Sequence, residues 1–547
     1  MKRRSSIFVT AILLSGMIDL FAVNGVSRED STEYYNWFNL DKEMNGIPGI
    51  STDKAYDELL VNKKSTSIIV AVIDGGVDIN HEDLKGKVWI NEDEVPGNGI
   101  DDDKNGFIDD IHGWNFLGNA EGKNIKYENY EATRLYHKYK DKFSTADTNN
   151  LKGDELELFR LYTRAKKVYF EKYNKATYEM ALIEKFEKNY YKADSIIKSN
   201  LKKDTFSIDE IKTFDTSDSR EFIMAKSVLI NLNDNGFQME KLKKYKDRIE
   251  VKLNYHFNVN FNARSVIGDD PEDPNDSIYG NNDVIASTPD HGTFVSGIIA
   301  GNRYNGIGMK GIADNVRIMV IRAVPDGDER DKDVANAIKY AVNNGAKIIN
   351  MSFGKDFSPQ KEMVDQALKY AADNDVLIVH AAGNEGENTD NKPRYPSVWN
   401  GDNQKISDSW MNVGATSKVM DDSFVGDFSN YGRNTVELFA PGVDIYSLEP
   451  ENAYDVLDGT SFASPMVAGT AALIKSYYPE FTALQIKDII LSSVSLEYKR
   501  QKVLLPFKDE VQKPKKAKVK FGKLSSTGGL LNAYNALQLC EQKITSE

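Results

Sequence analysis

The sequence predicts an α/β protein with a doubly wound parallel sheet and an inserted α-helical subdomain. The first observation behind this prediction is a repeated alternation of apolar, β-branched runs with amphipathic helical patterns. Such alternation indicates a parallel sheet with helices on both faces. The strand-like runs occupy 65–74, 316–324, 346–354 and 375–384, and helical patterns occupy 333–345 and 361–374.

The second observation is a long stretch, residues 119–260, that breaks this alternation. It contains no proline, and no glycine lies between Gly153 and Gly236. Apolar positions step by threes and fours from Leu158 to Ile197, as on one face of a long helix, and a second helical pattern runs from about 207 to 230. A structureless loop of this length is improbable in a compact domain, so we expect a helical insertion.

Composition bounds the class of protein. The 547 residues are 40% hydrophobic and 28% charged, as expected of a soluble globular chain with more than one structural unit. A net charge of −14 argues against binding to nucleic acid or to an anionic membrane, and it suits cations better. Cys540 is the single cysteine, so no internal disulfide is possible.

The first residues have the pattern of a secretory signal. Lys2, Arg3 and Arg4 precede an apolar run at 7–18 that is too short to span a bilayer as a helix. We therefore expect a signal peptide at 1–25, an extracytoplasmic (periplasmic or secreted) location and no integral membrane span in the mature chain. An anchor or an untargeted tail is the alternative. An N-terminal segment at 26–64 then precedes the first strand.

Three residues on separate elements could form one catalytic centre. Asp74 ends a buried strand, His291 opens the apolar run "HGTFVSGIIAG", and Ser461 precedes the small apolar helix in "DGTSFASPMVAGTAAL". Taken singly, Ser461 is explained as a helix cap and His291 as a structural histidine. A nucleophilic serine, however, needs a base, and the base needs an anion to fix its tautomer. The chain order Asp, His, Ser on an α/β scaffold favours the catalytic interpretation.

With "VAVIDGGVD", "NMSFG" and "HAAGNEG", these motifs make the chain resemble the subtilisin-like (S8) serine peptidases. The resemblance implies a peptidase domain in two parts, 65–118 and 261–540, that hydrolyses peptide bonds in polypeptide substrates. It also implies an Asp74–His291–Ser461 triad with Asn384 as the oxyanion-hole side chain. The family often has a histidine three residues after the catalytic one, where this chain has Phe294. The implied substrate-binding residues are Ser352, Phe353, Gly354, Ala381, Ala382 and Gly383, whose small walls and apolar Phe353 suggest tolerance for large apolar substrate side chains. The alternative is that these residues are only the ends of core strands.

The acidic stretch "GNGIDDDKNGFIDDIHGW" predicts a structural calcium site. Oxygen-bearing side chains at 101, 103 and 105 followed by Gly106 match the first half of a calcium loop. The match fails at the twelfth position, where His112 replaces the bidentate glutamate, so another ligand must close the site. A solvated acidic turn is the alternative. The candidate ligands are Asp101, Asp103, Asn105, Phe107 (through its carbonyl), Asp109 and Asp110. Many members of the resembled family bind structural calcium.

Two other functions compete with a secreted serine endopeptidase. One is a catalytically inactive relative that serves as a binding module, against which the intact triad and Asn384 argue. The other is a metal-dependent hydrolase, but the acidic stretch lacks histidines at zinc spacing. We expect the helical insertion to restrict access of substrates, the alternatives being a tolerated surface insertion or a dimerisation element. The sequence gives neither the natural substrate nor the oligomeric state.

Overall fold

The computed structural model describes residues 35–147, 149–214, 219–400, 404–507 and 517–546. The predicted signal peptide at 1–25 lies outside the described residues. Two compact units emerge from the contacts within the chain. One contains residues 132–261, and the other contains the described residues before 132 and after 261. The second unit carries the sheet and is called the sheet unit below.

The sheet unit is built on seven parallel strands, which confirms the predicted fold class. Their spatial order is β2-β3-β1-β4-β5-β6-β7, and every neighbouring pair runs parallel. Because all seven strands point the same way, their carboxyl ends meet at one edge. The strands are β1 (Ile68–Asp74), β2 (Gly113–Asn115), β3 (Val316–Arg322), β4 (Ile348–Met351), β5 (Leu377–Ala381), β6 (Trp410–Thr416) and β7 (Leu438–Pro441).

Alternate side chains of β1 enter two separate hydrophobic cores, as the period of two along a strand requires. Val70 and Val72 belong to the core on one face, while Ala71 and Ile73 belong to the core on the other. The first core includes the helices Asp290–Ala300 and Thr460–Tyr477, and the second includes Asp331–Asn343 and Lys361–Asp373. The first two are called the His291 helix and the Ser461 helix.

Smaller elements complete the sheet unit. An antiparallel hairpin of β8 (Ile445–Glu449) and β9 (Ala453–Leu457) precedes the Ser461 helix, and β10 (Lys502–Leu504) pairs with β11 (Lys518–Lys520). The remaining α-helices of this unit are Lys42–Asn45, Thr52–Glu58, Arg264–Ile267, Ala483–Ser492 and Ala533–Ser546.

The two glycines of the His291 helix permit close packing. A Cβ on Gly292 would lie 2.1 Å from the carbonyl oxygen of Gly76, and one on Gly297 would lie 2.4 Å from Ser447 Oγ. No side chain fits at either position without moving its neighbours. The glycines therefore let the start of this helix approach the turn after β1, and its middle approach β8.

Residues 132–261 form the helical unit predicted from the missing prolines. Its longest helix, Gly153–Leu201, has 49 residues, and Ala193 and Ile197 of the predicted apolar stripe pack against the following helices. The unit begins at 132 rather than at 119, because residues 119–131 form hydrogen bonds with the sheet unit. Asp326 N–H donates to the carbonyl oxygen of Lys126, and Lys355 Nζ donates to the carboxylate of Glu131. Its helices are Glu131–Phe143, Gly153–Leu201, Ile208–Thr213, Arg220–Asp234 and Met239–Val251, with a π-helical turn at Lys252–His256.

Within the described ranges, no helix combines the length and apolar character needed to cross a membrane. Even the 49-residue helix is amphipathic, with lysines and glutamates along its exposed face.

Candidate active site

Asp74 and His291 are in direct contact at the carboxyl edge of the sheet. Asp74 is the last residue of β1 and is 3% exposed. His291 is the second residue of its helix, and its Nδ1 lies 2.8 Å from one carboxylate oxygen of Asp74 and 3.0 Å from the other. A proton on Nδ1 donates to this carboxylate, so the lone pair of the neutral imidazole is on Nε2. This is the tautomer that a general base acting through Nε2 requires.

The charge of Asp74 also makes His291 more basic. Burial lowers the pKa of His291, but the negative charge of Asp74 and its hydrogen bond outweigh burial, so the pKa lies above the usual 6.5. The negative charges of Glu449 and Asp290 act in the same direction. The imidazolium form is thereby stabilised, as a base that must hold a proton during a reaction requires.

Ser461 stands at the start of a buried helix and is tied to the end of a neighbouring strand. Its hydroxyl donates to the carbonyl oxygen of Ser352 at 3.0 Å, and the Ser352 hydroxyl donates to the Ser461 carbonyl at 2.8 Å. The rings of His291 and Phe462 lie 5.8 Å apart, which brings the imidazole beside this helix start. In this conformation the Ser461 hydroxyl donates to Ser352, so its hydrogen must be redirected before it can be donated to His291.

Asn384 is oriented by the residue that precedes Ser461. Its Oδ1 accepts hydrogen bonds from the N–H and the hydroxyl of Thr460, both at 2.9 Å. These bonds identify Oδ1, so the Nδ2 end of the amide points away from Thr460. Gly383 N–H donates to the same hydroxyl at 3.1 Å. The segment after β5 and the Ser461 helix are thus held together at the position where an amide and a helix N-terminus can stabilise an oxyanion.

The predicted substrate-binding residues surround one cavity of about 250 Å³, which Asn384, Thr460 and Ser461 also line. Ser352, Phe353 and Gly354 follow β4, whereas Ala381, Ala382 and Gly383 belong to the end of β5 and the turn after it. Six further lining residues were missed from the sequence, and three of them are charged. These are Val324, Gly327, Glu329, His380, Glu385 and Arg394. The charged stretch "DGDERDKD", which contains Glu329, has the composition of a solvated loop, yet Glu329 is only 2% exposed.

The acidic stretch forms a compact loop in which three carboxylates come together. Oxygens of Glu94, Asp101 and Asp103 all lie within 4.8 Å of one another. Glu94 was missed, although the run "NEDE" stands only a few residues before Asp101. Asn105 and Gly106 N–H groups donate to Asp101, which closes the turn that the calcium-loop pattern predicted. Oxygen donors of this kind suit a hard cation such as Ca²⁺.

The other predicted ligands of the acidic stretch have different partners. Both oxygens of Asp109 accept backbone N–H groups of residues 97–99. Asp110 is fully buried and accepts from Asn91, Asn105 and Tyr340, and burial raises its pKa to about 6. The amide of Asn105 donates to Asp103. The geometry therefore places Glu94, rather than Asp109 or Asp110, beside Asp101 and Asp103.

A second acidic segment, 268–276, is held by cations of the chain itself. Asp269 and Asp276 accept ion pairs from Lys332 at 2.7 and 3.0 Å, and Asp269 also pairs with Arg264. The ion pairs therefore indicate a structural loop rather than a second ion site.

Comparison with known proteins gives one family. The model of the subtilase family matches residues 65–522. A thermophilic serine proteinase of Bacillus sp. (strain AK1) is 40% identical over 187 residues, which cover 34% of this chain and 42% of that protein. Subtilisin DY of Bacillus licheniformis is 36% identical over 209 residues, which cover 38% of this chain and 70% of the relative. The solved structure of a cold-adapted subtilisin-like serine proteinase is 28% identical in sequence. The matched region covers 46% of this chain and 78% of that chain, with a TM-score of 0.35.

Proposed function

Because the chain belongs to the subtilase family, a family of serine-type endopeptidases, we propose that it hydrolyses peptide bonds of polypeptides through Asp74, His291 and Ser461. The observation that carries this proposal is the contact between His291 Nδ1 and the buried Asp74 carboxylate. It fixes the tautomer and raises the pKa of an imidazole that stands beside the start of the Ser461 helix. A histidine with a purely structural role on an apolar helix would not require a buried carboxylate such as that of Asp74 beside it.

The proposed reaction uses Asp74, His291 and Ser461 in both of its half-reactions, acylation and deacylation. Ser461 Oγ attacks the carbonyl carbon of the substrate while its proton passes to His291 Nε2, and Asp74 stabilises the imidazolium. The Nδ2 of Asn384 and the backbone N–H of Ser461 donate to the developing oxyanion. The His291 proton then passes to the leaving amine as the C–N bond breaks, which leaves an acyl-enzyme. Water attacks this ester by the same steps in reverse and regenerates Ser461.

The test of this proposal is labelling by a serine-directed fluorophosphonate. We expect the native protein to be modified at Ser461 alone, because among the residues that the structure describes Ser461 is the serine at a helix start with an activated histidine beside it. Mass spectrometry of the digested, labelled protein identifies the modified residue. Heat-denatured protein serves as the control and should not react. Either competing function, an inactive binding module or a metal-dependent hydrolase, predicts no label on Ser461 in the native protein.

The acidic loop supports a second proposal, that a structural calcium ion stabilises the fold. Glu94, Asp101 and Asp103 bring carboxylate oxygens within 4.8 Å of one another, and a bound cation would offset their mutual repulsion. The loop precedes β2, which is an edge strand of the sheet. An ordered loop should therefore help to hold this edge strand in place. When calcium is bound, it neutralises these carboxylates and has no part in the bond-breaking steps.

Removal of calcium is expected to lower the melting temperature. A ligand that binds only the folded state at about 100 times its Kd adds about 2.7 kcal/mol of stability. Melting curves with excess calcium and with EDTA should therefore differ in the native protein. Asp103→Asn should abolish the difference, whereas Asp93→Asn, the same charge change at an exposed neighbour, should preserve it. Identical curves with calcium and chelator in the native protein would refute the site.

Two further features of the chain remain proposals. The basic head and apolar run of residues 1–25 support an exported enzyme that acts outside the cytoplasm. The helical unit of residues 132–261 supports a role in restricting which polypeptides are cleaved, since it is inserted between the strand of Asp74 and the helix of His291.

A further inference from the structure

Arg322 is a fully buried cation at the end of β3, and its hydrogen-bond partners in the described part of the chain are uncharged oxygens. Its Nε donates to the carbonyl oxygen of Gly75 at 2.8 Å. Its two Nη groups donate to Asn115 Oδ1 at 3.0 Å, to the carbonyl oxygen of Ile125 at 2.6 Å and, less closely, to that of Leu117. One side chain thus joins the turn after β1 to the end of β2 and the segment that follows it.

The charge of Arg322 is unfavourable for the fold by itself. Burial lowers the pKa of its guanidinium to about 10, and the charge of Asp283, which forms no ion pair with it, opposes this effect. The side chain therefore stays protonated at neutral pH. A buried charge without an anionic partner is costly unless its hydrogen bonds compensate for the lost water. An arginine in this position is better explained by the contacts that it makes than by the stability that it adds.

The sheet register brings Arg322 next to Asp74. The strand β3 lies between β2 and β1, and the Cα partners of Arg322 are Asn115 on one side and Asp74 on the other. The carbonyl oxygen of Asp74 accepts from the N–H groups of residues 323 and 324 at 3.0 and 3.2 Å. The next carbonyl along the chain, that of Gly75, accepts from the Arg322 side chain. The guanidinium therefore continues the hydrogen bonding between the two strands for one residue beyond the end of β1.

Gly75 transmits this contact to the catalytic pair, because both of its backbone polar groups are used. Its N–H donates at 2.7 Å to Asp74 Oδ1, the oxygen that lies 3.0 Å from His291 Nδ1. Its carbonyl oxygen accepts from Arg322 Nε and, at 3.3 Å, from Thr288 Oγ1. Thr288 precedes His291 by three residues. The orientation of Gly75 is thus set from β3 and from the start of the His291 helix, and Gly75 in turn holds one oxygen of the Asp74 carboxylate.

We propose that Arg322 is a positioning residue for the reaction, which fixes the orientation of the Asp74 carboxylate toward His291 through Gly75. The inference rests on the proposed function, in which this carboxylate sets the tautomer of His291 and stabilises the imidazolium. Arg322 itself acts at a distance from the reacting atoms. Without its donor the peptide group after Gly75 can turn, and the Gly75 N–H no longer fixes Asp74 Oδ1. A displacement of about 1 Å at a catalytic group can cost about 100-fold in rate.

Arg322→Met removes the donors while it keeps a long, unbranched side chain in the same space. We expect kcat per active site to fall by about 10–100-fold with little change in KM, since the substrate does not contact this residue. Complete labelling of Ser461 by a fluorophosphonate counts the active sites, so protein that is unfolded does not contribute to the loss.

The pH profile separates positioning from a general loss of stability. The acid limb of kcat/KM should move to lower pH in Arg322→Met, because a displaced Asp74 carboxylate raises the pKa of His291 less. Glu449 and Asp290 also raise this pKa, and both remain in the variant, so the shift reports the contact with Asp74.

Two milder variants test the same contact if Arg322→Met does not fold. Arg322→Lys keeps one cationic donor for Gly75 but cannot reach the other oxygens as well, so it should give an acid limb between those of the native and methionine enzymes. Thr288→Val removes the second donor to Gly75 without a change of charge, and it should shift the acid limb to lower pH by a smaller amount.

Arg303→Met is the matched control. Arg303 is also a buried arginine of the sheet unit, but it donates to the carbonyl oxygen of Gly311 and pairs with Asp53 instead of contacting Gly75. Its replacement can lower the melting temperature and should leave kcat per active site and the acid limb unchanged.

Each outcome bears on one of the two proposals. If Arg322→Met lowers the melting temperature but keeps native kcat per active site and a native acid limb, Arg322 is structural and the inference is wrong. A native acid limb in both Arg322→Lys and Thr288→Val overturns it equally when the methionine variant cannot be purified in a folded form. Native protein that neither cleaves peptides nor takes up the label at Ser461 would instead overturn the proposed function.

Discussion

Ser461→Ala is expected to lower kcat by about a millionfold, the loss that removal of the nucleophile causes in subtilisin. The alanine variant lacks the oxygen that forms the acyl-enzyme, while Asn384 and the backbone N–H of residue 461 remain in place. The residual rate should therefore come from oxyanion stabilisation and substrate binding alone. Steady-state hydrolysis of a peptide substrate measures the loss, and the variant should still bind the peptide.

A matched variant distinguishes loss of the nucleophile from damage to the helix. Ser464 stands one turn further along the same helix, is fully buried, and donates its hydroxyl to Asn350 Oδ1 at 2.8 Å. Ser464→Ala removes a structural hydrogen bond, at a cost of about 1 kcal/mol, and should retain most of the activity. If Ser461→Ala keeps normal turnover, or if both variants lose activity equally with intact melting curves, Ser461 is not the nucleophile.

The sequence was a good guide wherever a local pattern decides the structure. The apolar run that predicted a buried strand at 65–74 forms β1, whose Val70 and Val72 enter one core and whose Ala71 and Ile73 enter the other. In a parallel sheet, such local assignments also locate the site, because residues at the carboxyl ends of strands meet at one edge.

The residues that the sequence did not reveal are buried charges. Glu94, Glu329 and Arg394 occur in charged or proline-containing stretches whose composition is that of solvated loops. What buries each of them is a partner elsewhere in the chain: Glu329 lies near Lys355, and Arg394 pairs with Asp356. No periodicity encodes such pairings, since they depend on where two loops of the fold meet. The charged lining of the cavity is therefore a property of the tertiary structure, whereas the proposed triad is visible in the motifs.

Asp74→Asn is expected to lower kcat by about 10⁴-fold, the effect of the equivalent change in a serine protease triad. The asparagine amide has no charge to stabilise the imidazolium, and its N–H₂ group can favour the wrong tautomer of His291. The same change should move the pH profile. Because Asp74 raises the pKa of His291 above 6.5, the native enzyme should lose kcat/KM as the pH falls through a value above 6.5.

Removal of the Asp74 charge and hydrogen bond takes away the largest causes that raise the pKa of His291, while burial still lowers it, so the acid limb should move to lower pH. The pH dependence of kcat/KM between pH 5 and 9 measures both effects at once. Asp290→Asn is the matched control, because Asp290 is the adjacent residue and contributes a weaker charge effect without a hydrogen bond to the imidazole. It should shift the acid limb in the same direction by a smaller amount and leave kcat within about tenfold of the native value. An Asp74→Asn enzyme with near-native kcat and an unshifted acid limb would show that the contact between Asp74 and His291 is structural rather than catalytic.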